Sequence, residues 1–169
     1  MPVDSFKFLP RIIEMFYKLN EGEPYDEIPW TPLTKPVQES IFGLVTSAGL
    51  YDRARDQPFD LESERSDPTW GDPTARMIPH SIGRHDLDIS HLHLNTEPIQ
   101  EDFNIVLPLD RMKELAEQEL IGGIAMNHFS LMGYQGFPPD LTGWREQSGP
   151  QIAEQFISEG VDCVLLTPA

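Results

Sequence analysis

The sequence predicts an α/β protein: three layers, with a mainly parallel sheet flanked by helices and a long irregular arm. Three observations predict it. Residues 40–47 (SIFGLVTS) and 161–167 (VDCVLLT) are short, continuously apolar runs, the mark of parallel strands buried on both faces. Within residues 103–134 a helical repeat leads directly into a third apolar run, residues 121–126 (IGGIAM). A further helical pattern precedes the last strand, so helices cross between strands as parallel pairing requires. The same order also fits one half of a two-domain doubly wound protein.

Taken in order, residues 4–19 carry Phe6, Phe8, Leu9, Ile12, Ile13, Phe16 and Leu19 at helical spacing. That is too much apolar surface for a free helix, and it predicts docking on the same domain or on a partner. Pro10 moves the regular part of this helix to residues 10–19. Residues 20–36 read as an extended, proline-rich connector, which divides the chain into an N-terminal helix and connector (1–36) and an α/β domain (37–169). After the first strand, Gly49 permits a tight turn or close approach to a ligand. Residues 51–79 are acidic, hold four prolines and show no periodicity, so they are expected to form a lid, Ω-loop or interface arm, packed down by Phe59 and Trp70. Residues 87–94 (LDISHLHL) alternate as a half-buried strand, which would put His91 and His93 on one face. Pro108 and Asp110 suit a helix start, with Met112, Leu115, Ala116 and Leu120 on its apolar side. The run 121–126 would deliver Asn127, His128 and Ser130 at the carboxyl end of a strand, where open α/β sheets bind ligands. Ser148, Gly149 and Pro150 open a final helix at 151–159 that Gly160 stops.

Composition narrows the function. The net charge of −16 comes from 28 acidic against 12 basic side chains, which argues against a nucleic-acid or anionic-membrane surface. A single cysteine excludes an internal disulfide framework and fits a reducing cytoplasm. No apolar run approaches the roughly 18 residues of a membrane span. No GxSxG, Walker or GxGxxG pattern occurs.

Two chemistries fit the polar residues. His91, His93 and His128, with Glu101 or Asp102, are adequate zinc or iron ligands; the plain alternative is one core histidine and one facing solvent. An acid–base reading instead gathers His91, His128 and Asp110 at the sheet's carboxyl rim, histidine being the side chain most easily poised near neutral pH. Asp110 also has a plain role as a helix N-terminal charge. Cys163, inside an apolar strand, reads as a core residue rather than a nucleophile.

Several segments together carry a resemblance. They are Trp30 to Pro36 (WTPLTKP), Leu44 to Gly49 (LVTSAG), Gly71-Asp72 with Arg76 and Ile78-Pro79, and Ile89-Ser90-His91. They continue with Asn104, Leu107 to Arg111 (LPLDR), Ile121-Gly122, His128 to Gly133 (HFSLMG), Gly149-Pro150 and Glu159 to Thr167 (EGVDCVLLT). In this order they resemble the selenoprotein B family of the glycine, betaine, sarcosine and D-proline reductases. The resemblance implies a selenocysteine, or a cysteine, directly after the strand that ends here at Thr167-Pro168-Ala169. It implies that this nucleophile attacks a small substrate activated by a pyruvoyl group on a partner subunit and opens a C–N bond reductively. This chain itself is expected to hold no cofactor or metal. It reads as the front part of such a reductase, partnered by a C-terminal half or another subunit in an oligomer. The rival reading is a non-catalytic subunit of a larger complex. By the resemblance His91, His128 and Asp110 are the candidate catalytic residues. Thr46, Ala48, Gly49, Asn104, Arg111 and Met132 are candidate substrate-binding positions, with the planar fork of Arg111 suited to a carboxylate.

Overall fold

The computed structural model describes residues 10–12, 15 and 31–169. The chain divides into two compact units, Met1–Pro32 and Leu33–Ala169. In the first, Arg11, Ile12 and Met15 are helical; the rest of the expected N-terminal helix lies outside the described residues. Everything below concerns the second unit.

Its sheet is the predicted α/β core. β1 (Ile41–Thr46) lies at the centre. On one side it pairs in parallel with β5 (Gly123–Ile124) and then β6 (Asn127–Leu131), and on the other with β7 (Cys163–Thr167) along five residues. β3 (Ala75–Pro79) closes the far side, antiparallel to β6. β2 (Leu50–Asp52) and β4 (Leu87–Ile89) form a separate antiparallel pair. The helices are α1 (Leu61–Ser66), α2 (Glu97–Glu101), α3 (Leu109–Glu117) and α4 (Gly149–Ser158). Among the described residues no helix is long and apolar enough to cross a membrane.

One core, on the α3 side, joins Leu44, Leu50, Ile78, Leu107 and Met112. The other packs α4 through Ile152 and Phe156 onto Ala125 and Phe129, with the Phe129 and Phe156 rings edge-on at 5.2 Å. Gly43 makes this approach possible, since a Cβ there would lie 2.6 Å from Phe156 Cε1. Lys35 Nζ and Asp162 Oδ1 pair at 2.8 Å, while Asp162 Oδ2 accepts the Ile41 N–H at 3.0 Å. That carboxylate aligns the starts of β1 and β7, and its hydrogen bonds from Lys35 and Ile41 hold it below the usual carboxylate range.

The third apolar run departs from expectation most usefully. It is not one strand: β5 ends at Ile124, and Ala125, buried and bonded to the Phe42 carbonyl, and the exposed Met126 are inserted before β6 begins. The register records the insertion, because Phe42 pairs with Ile124 but Val45 with Phe129. A bulge leaves backbone donors without ladder partners. The Glu159 carboxylate takes the Met126 and Asn127 N–H groups at 2.7 and 3.1 Å and the Asn127 side-chain amide at 2.6 Å. Burial alone would raise the Glu159 pKa, but bonds from Asn127, Gln155 and these amides outweigh it and hold it below normal. Glu159→Ala is expected to cost about 2 kcal/mol in urea unfolding, as charge-assisted bonds to the exposed Met126 and half-buried Asn127 donors are lost. Glu159→Gln should recover part of this; equal stability of all three proteins would show the bulge holds itself.

Other elements also differ from the sequence reading. The arm at 51–79 is not irregular throughout, since it contains α1, β3 and most of β2. Asp60 caps α1 by accepting the Ser63 N–H at 3.0 Å, a local signal present in the sequence. The strand expected at 87–94 stops at Ile89, because its partner β2 offers only three residues. Leu120 lies beyond α3 and is exposed. β7 is not buried on both faces: Val164, Leu165 and Leu166 are 41, 38 and 67% exposed, and Cys163 is half-buried.

Candidate functional site

Polar groups gather at the carboxyl ends of β1, β6 and β7. Thr46 Oγ1 donates to the Thr167 carbonyl at 3.2 Å and accepts the Ala48 N–H at 3.2 Å. The Ser47 N–H reaches the same carbonyl at 3.3 Å, and the Gly133 N–H donates to the Ser47 carbonyl at 2.9 Å. Thr167 Oγ1 donates to the Val106 carbonyl at 2.6 Å, tying in the segment that leads to α3. These bonds hold three strand ends together around an open cleft of about 540 Å³, walled by Val45, Leu131, Trp144, Leu166 and the Thr167–Ala169 segment. Its size suits a small organic ligand.

Beneath the cleft the chain turns sharply at Ala48 and Gly49. Gly49 has a φ of 70°, donates its N–H to the Leu131 carbonyl and accepts from the Ser90 N–H, both at 2.9 Å. Ala48 bridges to Met132, and both are fully buried. Of the substrate-binding candidates, Thr46 therefore lines the cleft, while Ala48, Gly49 and Met132 form its support.

Asn104, Asp110 and Arg111 meet at the start of α3. Asn104 Oδ1 accepts the Asp110 N–H at 2.9 Å and its amide donates to Asp110 Oδ2 at 3.1 Å, a cap supplied from six residues upstream. The pair borders a small concavity with Phe103, Leu107 and Arg84. Arg111 lies outside it, exposed and paired with Glu114 at 2.8 Å. Asn104→Ala should cost about 1 kcal/mol through the lost cap, read as a lower urea midpoint.

Both candidate catalytic histidines are buried. His128 lies within β6, not in a loop beyond a strand, because the bulge shifts the strand's start to Asn127. Its Nδ1 accepts the Leu44 N–H at 3.2 Å, filling a gap the bulge leaves in the ladder, and its Nε2 is enclosed with no partner among the described residues. Burial, chiefly, lowers its pKa to about 4; Glu159 opposes this, while His80 and Lys113 add to it. His91 Nδ1 accepts the His93 N–H at 3.1 Å, and its Nε2 is likewise enclosed. Burial, then the nearby His93, lowers the His91 pKa to about 4.

His91 and His93 do not share a strand face, since the chain has left β4 and turns there. Their rings meet edge-on with centroids 6.0 Å apart. His93 is exposed, with its ring 4.7 Å from that of Tyr134 and its Nε2 2.9 Å from Glu64 Oε1. Burial raises the Glu64 pKa, and His93 partly offsets this. Among the described residues no group of three or more His, Cys, Asp or Glu side chains is arranged to hold a metal ion. The His91, His93 and His128 set thus does not converge: His128 Nδ1 is committed to β1, and His93 faces Glu64.

The sequence reading missed Ser47, Gly133 and Thr167 in the cleft, and Glu64 and Tyr134 beside His93. Strand-end position was the available signal for the first three. Nothing local pointed to the pairing of Glu64 with a residue 29 positions away.

The described unit is thus an α/β fold with a mainly parallel sheet and an open cleft at the carboxyl ends of its strands. Residues 12–169 match the family "Glycine/sarcosine/betaine reductase selenoprotein B", and the chain belongs to it. It is 36% identical over 138 residues to D-proline reductase subunit gamma of Acetoanaerobium sticklandii, which covers 82% of this chain and 52% of that one. It is 28% identical over 168 residues to sarcosine reductase complex component B subunit beta of Peptoclostridium acidaminophilum, across 93% of this chain and 36% of that one. Against glycine reductase complex component B subunit gamma of Symbiobacterium thermophilum the figures are 26% over 174 residues, 93% and 37%. The chain thus spans about half, or less, of the length of these relatives. No solved structure matches it.

Proposed function

We propose that this chain forms the substrate-shaping part of a reductase-complex subunit that cleaves a C–N bond in a small amino acid or a related compound. The cleft at the ends of β1, β6 and β7 carries the reading: it is open, of a size for a small molecule, and walled by Val45, Leu131, Trp144 and Leu166 with Thr46, Ser47 and Thr167 at the strand ends. Membership of a reductase family and likeness to subunits of reductase complexes support it. In this proposal the nucleophile is a selenocysteine or cysteine that follows Ala169 or comes from a partner, and a pyruvoyl group on another subunit activates the substrate. Cleavage takes two electrons, which a dithiol would supply.

The residues of this chain bind and orient. Arg111 does not line the cleft; released from Glu114 it would take the carboxylate of a substrate reaching the start of α3, which Asn104 and Asp110 fix. His91 and His128 stay neutral near pH 7, so His128 acts by holding β6 against β1. Proton delivery to the leaving amine then falls to a group other than a charged imidazole at either position.

The test is to assemble the chain with the partner subunits of its reductase complex and measure dithiol-dependent consumption of D-proline, sarcosine, betaine and glycine. Turnover of one of them by C–N cleavage is expected; its absence with all four, in an assembled complex, removes the reading. In an active complex Arg111→Ala should raise KM by about tenfold or more with kcat little changed, as expected for lost ground-state binding. An unchanged KM would take Arg111 out of the site.

A further inference from the structure

β7 is an edge strand built like an internal one. Among the described residues it pairs with β1 alone, leaving its outer row of N–H and C=O groups without a strand partner there. Register sets its faces: Val164 lies opposite Gly43 and Leu166 opposite Val45, on the side of α4, while Leu165 lies opposite Leu44, on the side of α3. All three are exposed, at 41, 67 and 38%. Natural sheet edges are blunted by lysine, proline, a bulge or short length. From Cys163 to Thr167 β7 has no charge, proline or bulge, and its five residues pair without interruption.

We infer that β7 is an interior strand of a larger sheet, and that a further strand with helical layers on both of its faces docks along its open edge. The occupant is the polypeptide corresponding to the part of the reductase subunits that this chain does not match, joined to it or supplied as a separate chain. Three observations select it. D-proline reductase subunit gamma of Acetoanaerobium sticklandii is spanned to only 52% of its length, which leaves a domain-sized remainder. Apolar side chains on both faces need cover on both faces, which a lone peptide strand cannot give. A second copy is disfavoured because each carries a net charge of −16. The docked chain also completes the cleft, since Leu166 forms one of its walls. This inference rests on the reductase-subunit reading and deepens it.

The test mixes the 169-residue chain with the separately produced, unmatched remainder of D-proline reductase subunit gamma from Acetoanaerobium sticklandii, checked first for folding by circular dichroism and, where it does not fold alone, co-expressed with the chain. Sedimentation reads the complex, and hydrogen exchange reads residues 163–167. A one-to-one complex is expected, with exchange in β7 slowed by roughly tenfold or more on assembly. Val164→Asp and Leu165→Asp, one on each face, should each weaken binding by about tenfold or more, while Ile157→Asp, exposed on α4, should not. Thermal midpoints of the isolated variants separate lost docking from lost folding. Absence of a complex, unchanged β7 exchange within one, or full binding by both β7 variants overturns the inference. So does a homodimer of this chain that protects β7. A complex that protects β7 but turns over no substrate after the other subunits of the reductase complex and a dithiol are added keeps the surface and removes the reductase reading. Turnover with β7 unprotected does the reverse.

Discussion

Acidification from neutral pH to about pH 5 is expected to destabilise the fold by several kcal/mol, before most carboxylates titrate. His91 and His128 are responsible. Each has its pKa lowered from 6.5 to about 4, mainly by burial. The folded state therefore holds both imidazoles neutral, while the unfolded chain takes up protons once the pH falls below about 6.5. Stability from the neutral form is complete above the unfolded pKa and is lost as pH falls through the folded one. A shift of this size corresponds to roughly 3 kcal/mol per histidine as an upper estimate. Below about pH 5 the depressed carboxylates Glu159 and Asp162 add to the loss, while Glu64, raised by burial, works in the opposite direction and softens it. Urea midpoints at pH 7, 5 and 4 measure the effect. His128→Gln keeps an acceptor available for the Leu44 N–H and removes the titrating ring, so its pH dependence should be about half as steep. Coincident midpoints at pH 7 and 5 would mean that neither imidazole is held neutral.

Gly49→Ala is expected to be the most damaging conservative substitution near the cleft. At a φ of 70° an alanine already costs on the order of 1–2 kcal/mol. Its Cβ would also lie 2.2 Å from the Ser90 carbonyl oxygen, a backbone atom that cannot swing aside. Relief requires breaking the Gly49–Leu131 or Gly49–Ser90 hydrogen bonds, so the total should exceed about 3 kcal/mol. Gly49→Asn separates the two causes, because asparagine tolerates positive φ but carries the same Cβ. Asparagine as damaging as alanine would identify the collision as dominant. A loss below about 1 kcal/mol in the alanine protein would show that the turn relaxes freely. In an assembled complex the same change should impair substrate binding, as the turn supports the strand end that presents Thr46.

Much of the architecture was legible in the sequence because its signals are local. β1, α3 and α4 follow from an unbroken apolar run and from helical spacing, and Asp60 shows how a single side chain announces a helix start. Thr46 entered through the family resemblance, whereas the strand-end principle pointed to Asn127, His128 and Ser130, which lie within β6. The family resemblance rested on segments scattered from Trp30 to Thr167, and the match over residues 12–169 agrees with it.

Tertiary structure alone decided the rest. His128 and Leu44 are 84 positions apart, and no local pattern says that an imidazole replaces a ladder acceptor there. The bulge that makes this necessary depends on Glu159, more than 30 residues away. β7 reads as buried because its side chains are apolar, yet apolarity states only that a strand gains by being covered, not what covers it. Sequence by itself determined which segments become strands and helices, because propensity and periodicity act over a few neighbouring residues. Only the folded chain decided which histidine stays neutral, which donors need a carboxylate and which edge stays open, because burial and pairing depend on groups far apart in sequence.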